Sequence, residues 1–178
     1  TKSVYRAVNY LMGLGHRRIA FILGMLDSLY SIERLAAYRK AFADSGTECD
    51  EALIKESDFS KNAGFGCMGE LLDMDDPPTA VICMSDSLTP GALHQIHRRK
   101  LQIPEDISIL AIGCSDMYEL LNPPLTTIRT PVSDIGKTAA DQLIKIIQGE
   151  DTGEKHIILD ADLIIRESTG VPPRKKSS

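Results

Sequence analysis

The chain has 178 residues, of which 43% are hydrophobic, 25% charged and 5% aromatic, and its formal net charge is −5. This length suits one domain with a buried core, and the composition excludes a disordered chain, a collagen-like repeat and a small disulfide-stapled protein. Three of the cations cluster at Arg174, Lys175 and Lys176, so the remaining body is more acidic still, which argues against direct binding of DNA or anionic membranes.

The sequence has no apolar run near the ~20 residues that span a bilayer, and residues 1–15 lack the apolar core of a secretory signal. Because the chain begins Thr1-Lys2-Ser3, we expect it to be cut from a longer protein. The four cysteines are Cys49, Cys67, Cys83 and Cys114. They form no CxxC pair, which is typical of reduced thiols, so we expect a cytoplasmic protein with no membrane partner.

Hydrophobic periodicity predicts helices and strands that alternate along the chain. Apolar positions from 4 to 14 predict a helix, and the continuous apolar run 19–23 predicts a strand buried on both faces. The later predicted elements are a helix at 31–46, a weak strand at 53–57, a helix from 60 to 72, a strand at 80–84, a helix at 86–99, strands at 107–112 and 125–128, a helix at 132–148, and short extended pieces at 157–159 and 163–165.

This alternation predicts βαβ units and therefore an α/β fold with a parallel sheet. In open sheets of this kind, ligands bind beyond the carboxyl ends of the strands. The search for a site therefore narrows to the loops 24–32, 55–60, 84–88, 112–123 and 129–132.

A possible dinucleotide-binding motif lies near the middle of the chain. The run Gly64-Phe65-Gly66-Cys67-Met68-Gly69 matches G-x-G-x-x-G, and Asp86 follows near the distance expected of a ribose-binding acid. The motif requires its first glycine directly after a buried strand, but here Ser60 already offers a helix cap. We interpret the glycines as packing positions inside a helix and predict no cofactor.

Metal binding and catalysis find little support in the sequence. His94 and His97 lie one helical turn apart, but no carboxylate or cysteine of suitable spacing joins them, so we predict no metal site. Asp86 and Asp116 could form a carboxylate pair, although a helix cap and a turn are their more common roles. With no nucleophile elbow and no Ser–His–acid order, we predict that the chain is not an enzyme.

Side chains suited to a polar or anionic small molecule follow the predicted strands. Arg34 offers a bidentate cation, Phe59 an aromatic platform, and Ser85 and Ser115 short hydroxyls. Each also has a plain structural interpretation: Arg34 as a surface ion-pair partner, Phe59 as a staple against the next helix, and the serines as caps.

Short motifs form an ordered set that runs along nearly the whole chain, from residue 4 to residue 170. Each motif alone is weak, but the ordered set is specific. The motifs are Leu14-Gly15-His16-Arg17-Arg18-Ile19-Ala20-Phe21-Ile22, Glu33-Arg34 with Tyr38, Asp58-Phe59-Ser60 with Gly64, Pro77-Pro78-Thr79-Ala80-Val81, Ser85-Asp86 with Gly91-Ala92, Ile103-Pro104-Glu105-Asp106-Ile107-Ser108, Asn122-Pro123-Pro124-Leu125-Thr126-Thr127-Ile128, Ile135-Gly136 with Ala139 and Ala140, and Leu163-Ile164-Ile165-Arg166-Glu167-Ser168-Thr169.

This ordered set resembles that of LacI/GalR-family transcriptional regulators. The resemblance implies a Rossmann-like three-layer lobe of the type I periplasmic-binding-protein-like fold. Residues 1–125 would form the C-terminal lobe, 126–155 a strand and helix returning to an otherwise missing N-terminal lobe, 156–170 a return to the C-terminal lobe, and 171–178 a disordered basic tail. We therefore expect residues 126–130 and their helix to lie apart from the main sheet or to pack through a partner chain.

The resemblance also implies the site. The positions that would contact an effector are Arg34, Phe59, Ser85, Asp86, Ser115 and Thr130. Ser85 stands where many sugar-binding members carry asparagine, and Ser115 where members often carry aspartate. Since short hydroxyls replace two bidentate groups, the effector could be another sugar, a phosphorylated sugar, a purine, or none.

The function implied is that of the effector-binding and dimerisation region of a bacterial regulator. A sugar-like small molecule in an interlobe cleft would control operator binding by a helix-turn-helix that this sequence lacks. The family forms homodimers, and the candidate interface residues are Leu88, Tyr118, Leu120 and Leu121, with Leu93 equally suited to the core. The alternative is a periplasmic sugar-binding protein of a transporter, which shares the fold.

Overall fold

A six-stranded sheet forms the centre of the structure, a computed structural model that describes residues 2–150 and 156–173. The strands are β1 (Ile19–Gly24), β2 (Ile54–Ser57), β3 (Ala80–Cys83), β4 (Ser108–Gly113), β5 (Thr126–Arg129) and β6 (Asp162–Ile164). They lie in the order β2-β1-β3-β4-β5-β6, in which the first five are parallel and β6 runs antiparallel to β5.

Helices cover both faces of this sheet. They are α1 (Lys2–Gly13), α2 (Leu29–Ser45), α3 (Lys61–Leu72), α4 (Leu88–Arg98) and α5 (Val132–Ile147), with short 3-10 helices at Glu51–Leu53 and Asp116–Glu119. One core cluster joins α1 and α2 to the sheet, and a second joins α3 and α4 to its other face. The predicted three-layer α/β architecture is therefore confirmed.

Strand β1 is apolar at every position because both of its faces are covered by core. All of its residues are buried, with Phe21 in the α1–α2 core and Ile22 in the α3–α4 core. Tyr38 of α2 stacks on Phe21 with ring centres 5.3 Å apart, and its hydroxyl donates to the Ile19 carbonyl over 2.6 Å. A strand covered on both faces needs apolar residues at every position rather than at alternate ones.

The glycines of the G-x-G-x-x-G run lie inside α3, as interpreted from the sequence. A Cβ on Gly64 would overlap the carbonyl oxygen of Leu88, and one on Gly91 would overlap the carbonyl oxygen of Lys61. Gly64 of α3 and Gly91 of α4 let the backbones of the two helices pack in contact. The glycines of the motif lie within the helix and form no phosphate-binding turn.

The expectation that residues 126–130 lie apart from the sheet is wrong. Strand β5 pairs with β4 in parallel, from Leu110 opposite Thr126 to Gly113 opposite Arg129. Leu125, just before β5, and Ile128, within it, are fully buried, so both side chains belong to the core that covers the sheet. Helix α5 differs, because none of its residues is buried.

The segment that follows β6 fastens β4 to β5. Ser168 Oγ donates to the Ile109 carbonyl over 2.7 Å and accepts from the Thr126 N–H over 2.8 Å. Residues 157–159, predicted to be extended, form no strand. Of the predicted tail, residues 174–178 lie outside the described residues, as do residues 151–155. Within residues 2–150 and 156–173, no helix has the length and apolarity to cross a membrane.

At the opposite, amino edge of the sheet, His16 is fully buried between β3 and the C-terminal segment. Its Nε2 lies 2.9 Å from the Gly170 carbonyl oxygen and its Nδ1 lies 2.8 Å from the Thr79 hydroxyl. Burial lowers the pKa of His16. A carbonyl only accepts, so Nε2 carries the proton, and in the neutral ring Nδ1 accepts from Thr79.

Candidate functional site

The candidate effector residues all follow the carboxyl ends of parallel strands. Because β1 to β5 are parallel, these ends meet at one edge of the sheet. The candidates there are Arg34 in α2 after β1, Phe59 after β2, Ser85 and Asp86 after β3, Ser115 after β4, and Thr130 after β5.

A cleft of about 220 Å³ opens at this edge, beyond β3, β4 and β5. Three candidates, Ser85, Asp86 and Thr130, line it. Its full lining is Tyr30, Met84, Ser85, Asp86, Ile112, Gly113, Cys114, Thr130 and Val132. The cleft thus combines apolar walls with a few polar groups, which is the usual make-up of a small-molecule site.

Arg34 is held behind the cleft and is not a surface ion-pair partner. Its side chain is 6% exposed, and its Nη1 donates to the Met84 carbonyl over 3.3 Å. Its Cζ lies 3.8 Å from the centre of the Tyr30 ring. Burial lowers the pKa of Arg34, whereas the contact with Tyr30 raises it. Arg34 therefore touches two residues that line the cleft.

Phe59 does not line the cleft and packs against the core instead. Its backbone is left-handed, with φ of 63°, an uncommon conformation for a residue with a side chain. Its ring lies so close to Gly24 that a Cβ there would overlap it. The aromatic ring in the cleft belongs to Tyr30, which sequence reasoning missed. Tyr30 lies four residues before Arg34, which puts both side chains on the same face of the helix, and this spacing could have identified Tyr30 from the sequence.

Ser85 and Asp86 belong to the cleft wall after β3. Ser85 Oγ accepts from the Leu88 N–H over 3.2 Å, so this hydroxyl also caps α4. Asp86 Oδ2 accepts from the Cys114 N–H over 3.0 Å, and the Cys114 thiol lies 3.4 Å from the same oxygen. Asp86 Oδ1 is buried and, within the described structure, has no hydrogen-bond partner. A Cβ on Gly113 would overlap this oxygen, and burial together with the Asp86 carboxylate raises the pKa of Tyr118, so Oδ1 faces the protein interior and not the open cleft.

Ser115 lies outside the 220 Å³ cleft. Its Oγ accepts from the Met117 N–H over 3.3 Å and so begins the 3-10 helix Asp116–Glu119. A second cleft of about 300 Å³ adjoins the first, shares Cys114, Thr130 and Val132 with it, and contains Asp116. Asp86 and Asp116 therefore lie in different clefts and do not form the carboxylate pair considered from the sequence.

The candidate dimer residues divide into buried and exposed ones. Leu88 is 0% exposed and Tyr118 is 5% exposed, since both pack into the α3–α4 core. Their assignment to a dimer surface is therefore corrected: they are core residues. Leu120 is 72% exposed, whereas Leu121 and Leu93 are partly buried against the same core.

The histidine pair lies on the outer face of α4. His94 packs against Phe65 with ring centres 5.1 Å apart, and Arg98 lies over the same ring at 5.6 Å. Within the described ranges, no group of three histidine, cysteine, aspartate or glutamate side chains converges as metal ligands would.

Comparison with known proteins gives a consistent result. Residues 8–169 match the family model described as a periplasmic binding protein-like domain. The chain is 40% identical over 171 residues to the HTH-type transcriptional repressor CytR of Escherichia coli K12, and 35% identical over 163 residues to the HTH-type transcriptional regulator CelR of Thermobifida fusca. These matches cover 96% and 92% of this chain but only 50% and 48% of the relatives.

Solved structures agree with the sequence comparison. A LacI-family regulatory protein from Chloroflexus aggregans superposes with a TM-score of 0.88 at 32% identity, covering 94% of this chain and 60% of that one. A CelR–cellobiose complex superposes with a TM-score of 0.85 at 34% identity, covering 94% and 51% of the two chains. The chain thus spans about half the length of the curated relatives that it matches.

Proposed function

The chain belongs to the LacI/GalR family of transcriptional regulators through its periplasmic binding protein-like domain, and on that basis we propose that it binds the effector of such a regulator. The observation that carries this proposal is the cleft at the carboxyl edge of the sheet, with Asp86 in its wall and the buried Arg34 behind it. Effector binding there would bias the affinity of a DNA-binding headpiece for its operator, in the cytoplasm.

We propose a polar, uncharged or anionic effector such as a sugar or a related metabolite. The proposed contacts are Arg34, Ser85, Asp86 and Thr130, while Phe59 and Ser115 lie outside the cleft. The related CelR was solved as a complex with cellobiose, which favours a hydroxylated ligand. Hydroxyl groups of such a ligand would donate to the Asp86 carboxylate and accept from the Arg34 guanidinium.

A second lobe would close this cleft. Helix α5 has a wide exposed apolar face and no buried residue, so it needs a partner surface. The apolar residues of this face are Val132, Ile135, Leu143, Ile144, Ile146 and Ile147. Since the chain spans about half of its relatives, we propose that an N-terminal lobe packs on α5, so that α5 and not β5 is the returning element.

A homodimer is also part of the proposal. Met117 and Leu120 are strongly exposed next to the partly buried Leu121, which gives an apolar patch suited to self-association. Operator DNA would be bound through a headpiece elsewhere in the longer protein. The alternative of a periplasmic sugar-binding protein is not favoured, because the relatives are named transcriptional repressor and transcriptional regulator.

Calorimetry tests the proposal. The full-length protein and this chain would each be titrated with cellobiose, D-ribose, glucose 6-phosphate, adenosine and hypoxanthine. We expect one compound to bind the full-length protein and to bind this chain at least a hundredfold more weakly, because half of the wall is missing and about two charge-assisted hydrogen bonds are lost. Equal affinity in both proteins would place the site outside an interlobe cleft.

A further inference from the structure

Tyr30 and Arg34 lie one turn apart at the start of α2, and their side chains are in contact. The Arg34 Cζ lies 3.8 Å from the centre of the Tyr30 ring, so the planar guanidinium rests on the ring face. Tyr30 is 52% exposed and lines the cleft, whereas Arg34 is 6% exposed. The tyrosine ring therefore separates one face of the guanidinium from solvent.

A second contact fixes the guanidinium from another direction. Its Nη1 donates to the carbonyl oxygen of Met84, the residue that follows β3. Arginine side chains carry much rotamer entropy, so an isolated hydrogen bond of 3.3 Å holds one poorly. A ring contact in a site shielded from water adds to that bond, because cation–π attraction strengthens with desolvation.

We infer that Tyr30 is a positioning residue of the effector site: its ring holds the Arg34 guanidinium against Met84 and leaves the N–H edge, not the face, for the effector. The inference deepens the proposed function and rests on it. An edge-on guanidinium recognises paired oxygens, as in a carboxylate, a phosphate or neighbouring hydroxyls. An effector that needed to stack a flat ring on Arg34 would find that face occupied by Tyr30.

The test uses the full chain and needs no effector. NMR of ¹⁵N-arginine-labelled protein gives the shift of the Arg34 Nε–H proton, which the ring current of a tyrosine in contact displaces upfield. We expect Tyr30→Phe to retain this displacement and Tyr30→Leu to abolish it. Reaction of Arg34 with phenylglyoxal, followed by mass spectrometry, should be about tenfold faster in Tyr30→Leu, because the uncovered arginine populates open conformations more often. Arg39, paired with Glu51, is the internal reference and should not change.

Three results would count against the inference. An Arg34 shift and reactivity in Tyr30→Leu equal to those of the wild type would show that the ring does not hold the guanidinium. Loss of the displacement in Tyr30→Phe as well would assign the effect to the hydroxyl. Equal acceleration at Arg39 would reveal general unfolding. If the NMR and reactivity results are as expected but no compound binds the full-length protein, the contact stands and the effector proposal fails.

Discussion

The imidazole of His16 donates to the carbonyl oxygen of Gly170 over 2.9 Å, joining positions 154 residues apart in the chain. This bond connects the residues that lead into β1 to the C-terminal segment. Because the ring is fully buried, its protonation state is tied to folding.

The first prediction is that His16 makes stability depend on pH. Burial lowers the pKa of His16, so the unfolded chain binds a proton near its ordinary pKa of ~6.5 while the folded protein does not. The stabilisation is therefore complete above about pH 6.5 and falls as pH decreases, by at most ~1.4 kcal/mol per pH unit. Urea unfolding between pH 7.5 and 5.5 measures it. His16→Gln should flatten the dependence, and His94→Gln on the exposed face of α4 should leave it unchanged.

The second prediction concerns the packing of α3 on α4. Gly64→Ala should lower the free energy of unfolding by ~1–3 kcal/mol, because its Cβ would overlap the Leu88 carbonyl oxygen. Gly66→Ala is the matched control, since no atom lies within 4 Å of a Cβ there. Alanine at that position should stabilise the helix by ~0.5–1 kcal/mol. Equal effects of the two changes in urea unfolding would contradict the close packing.

The third prediction concerns the effector response. In the full-length regulator, Arg34→Ala should remove the response of operator binding to effector while leaving operator affinity within about twofold of the wild type. The guanidinium lies behind the cleft, against Tyr30 and Met84, and each charge-assisted bond that it gave to an effector would contribute ~1.5–3 kcal/mol. Arg39→Ala, which changes an exposed arginine one turn later in α2, is the control and should respond normally. Gel-shift titrations with and without the effector identified by calorimetry distinguish the two.

The fourth prediction uses the thiols as reporters of the cleft. Cys83 is fully buried and burial raises its pKa to about 12, so it should not react with maleimide in the folded protein. Cys114 is exposed, and its contact with Asp86 raises its pKa. Asp86→Asn should therefore speed the labelling of Cys114 severalfold at pH 7.5, with Cys67 as the internal reference. A bound effector should slow it, and no protection would argue against occupancy of this cleft.

The fifth prediction concerns helix α5. Leu143→Gln should change the stability of this chain by no more than ~0.5 kcal/mol, because the side chain is exposed. In the full-length protein the same change should cost ~1–3 kcal/mol if a second lobe covers the helix. Lys145→Gln is the polar control and should be neutral in both. A loss in neither protein would show that the apolar face of α5 stays uncovered.

Local patterns in the sequence predicted most of the fold. The apolar runs of β1, β3 and β4 are long enough to identify strands covered on both faces, and the helix ends fell within a few residues of those observed. The placement of β5 failed because it was inferred from the family resemblance, whereas periodicity reports only which residues need burial and not which strand they pair with. Strand β5 pairs directly with β4, and Ser168, 42 residues after Thr126, adds hydrogen bonds to both sides of that pair.

The sequence predicted where in the fold the site lies but not which side chains contact one another there. Strand topology alone directs attention to the loops after β3, β4 and β5, which do line the cleft. The sequence could not reveal that Phe59 turns back onto Gly24 through a left-handed backbone, or that Asp86 reaches across to Cys114. Both contacts join segments far apart in the chain, and they leave Tyr30 as the aromatic wall.

The fastening of β4 to β5 by Ser168 has a consequence for biosynthesis. The Ile109 carbonyl and the Thr126 N–H are made early, yet their partner Ser168 leaves the ribosome 42 residues after Thr126. Until then this half of the sheet lacks both hydrogen bonds of the Ser168 hydroxyl, so we expect a chain that ends before Ser168 to open more often and to be cleaved faster by proteases. Limited proteolysis of this chain and of a chain that ends at Arg166 measures the difference.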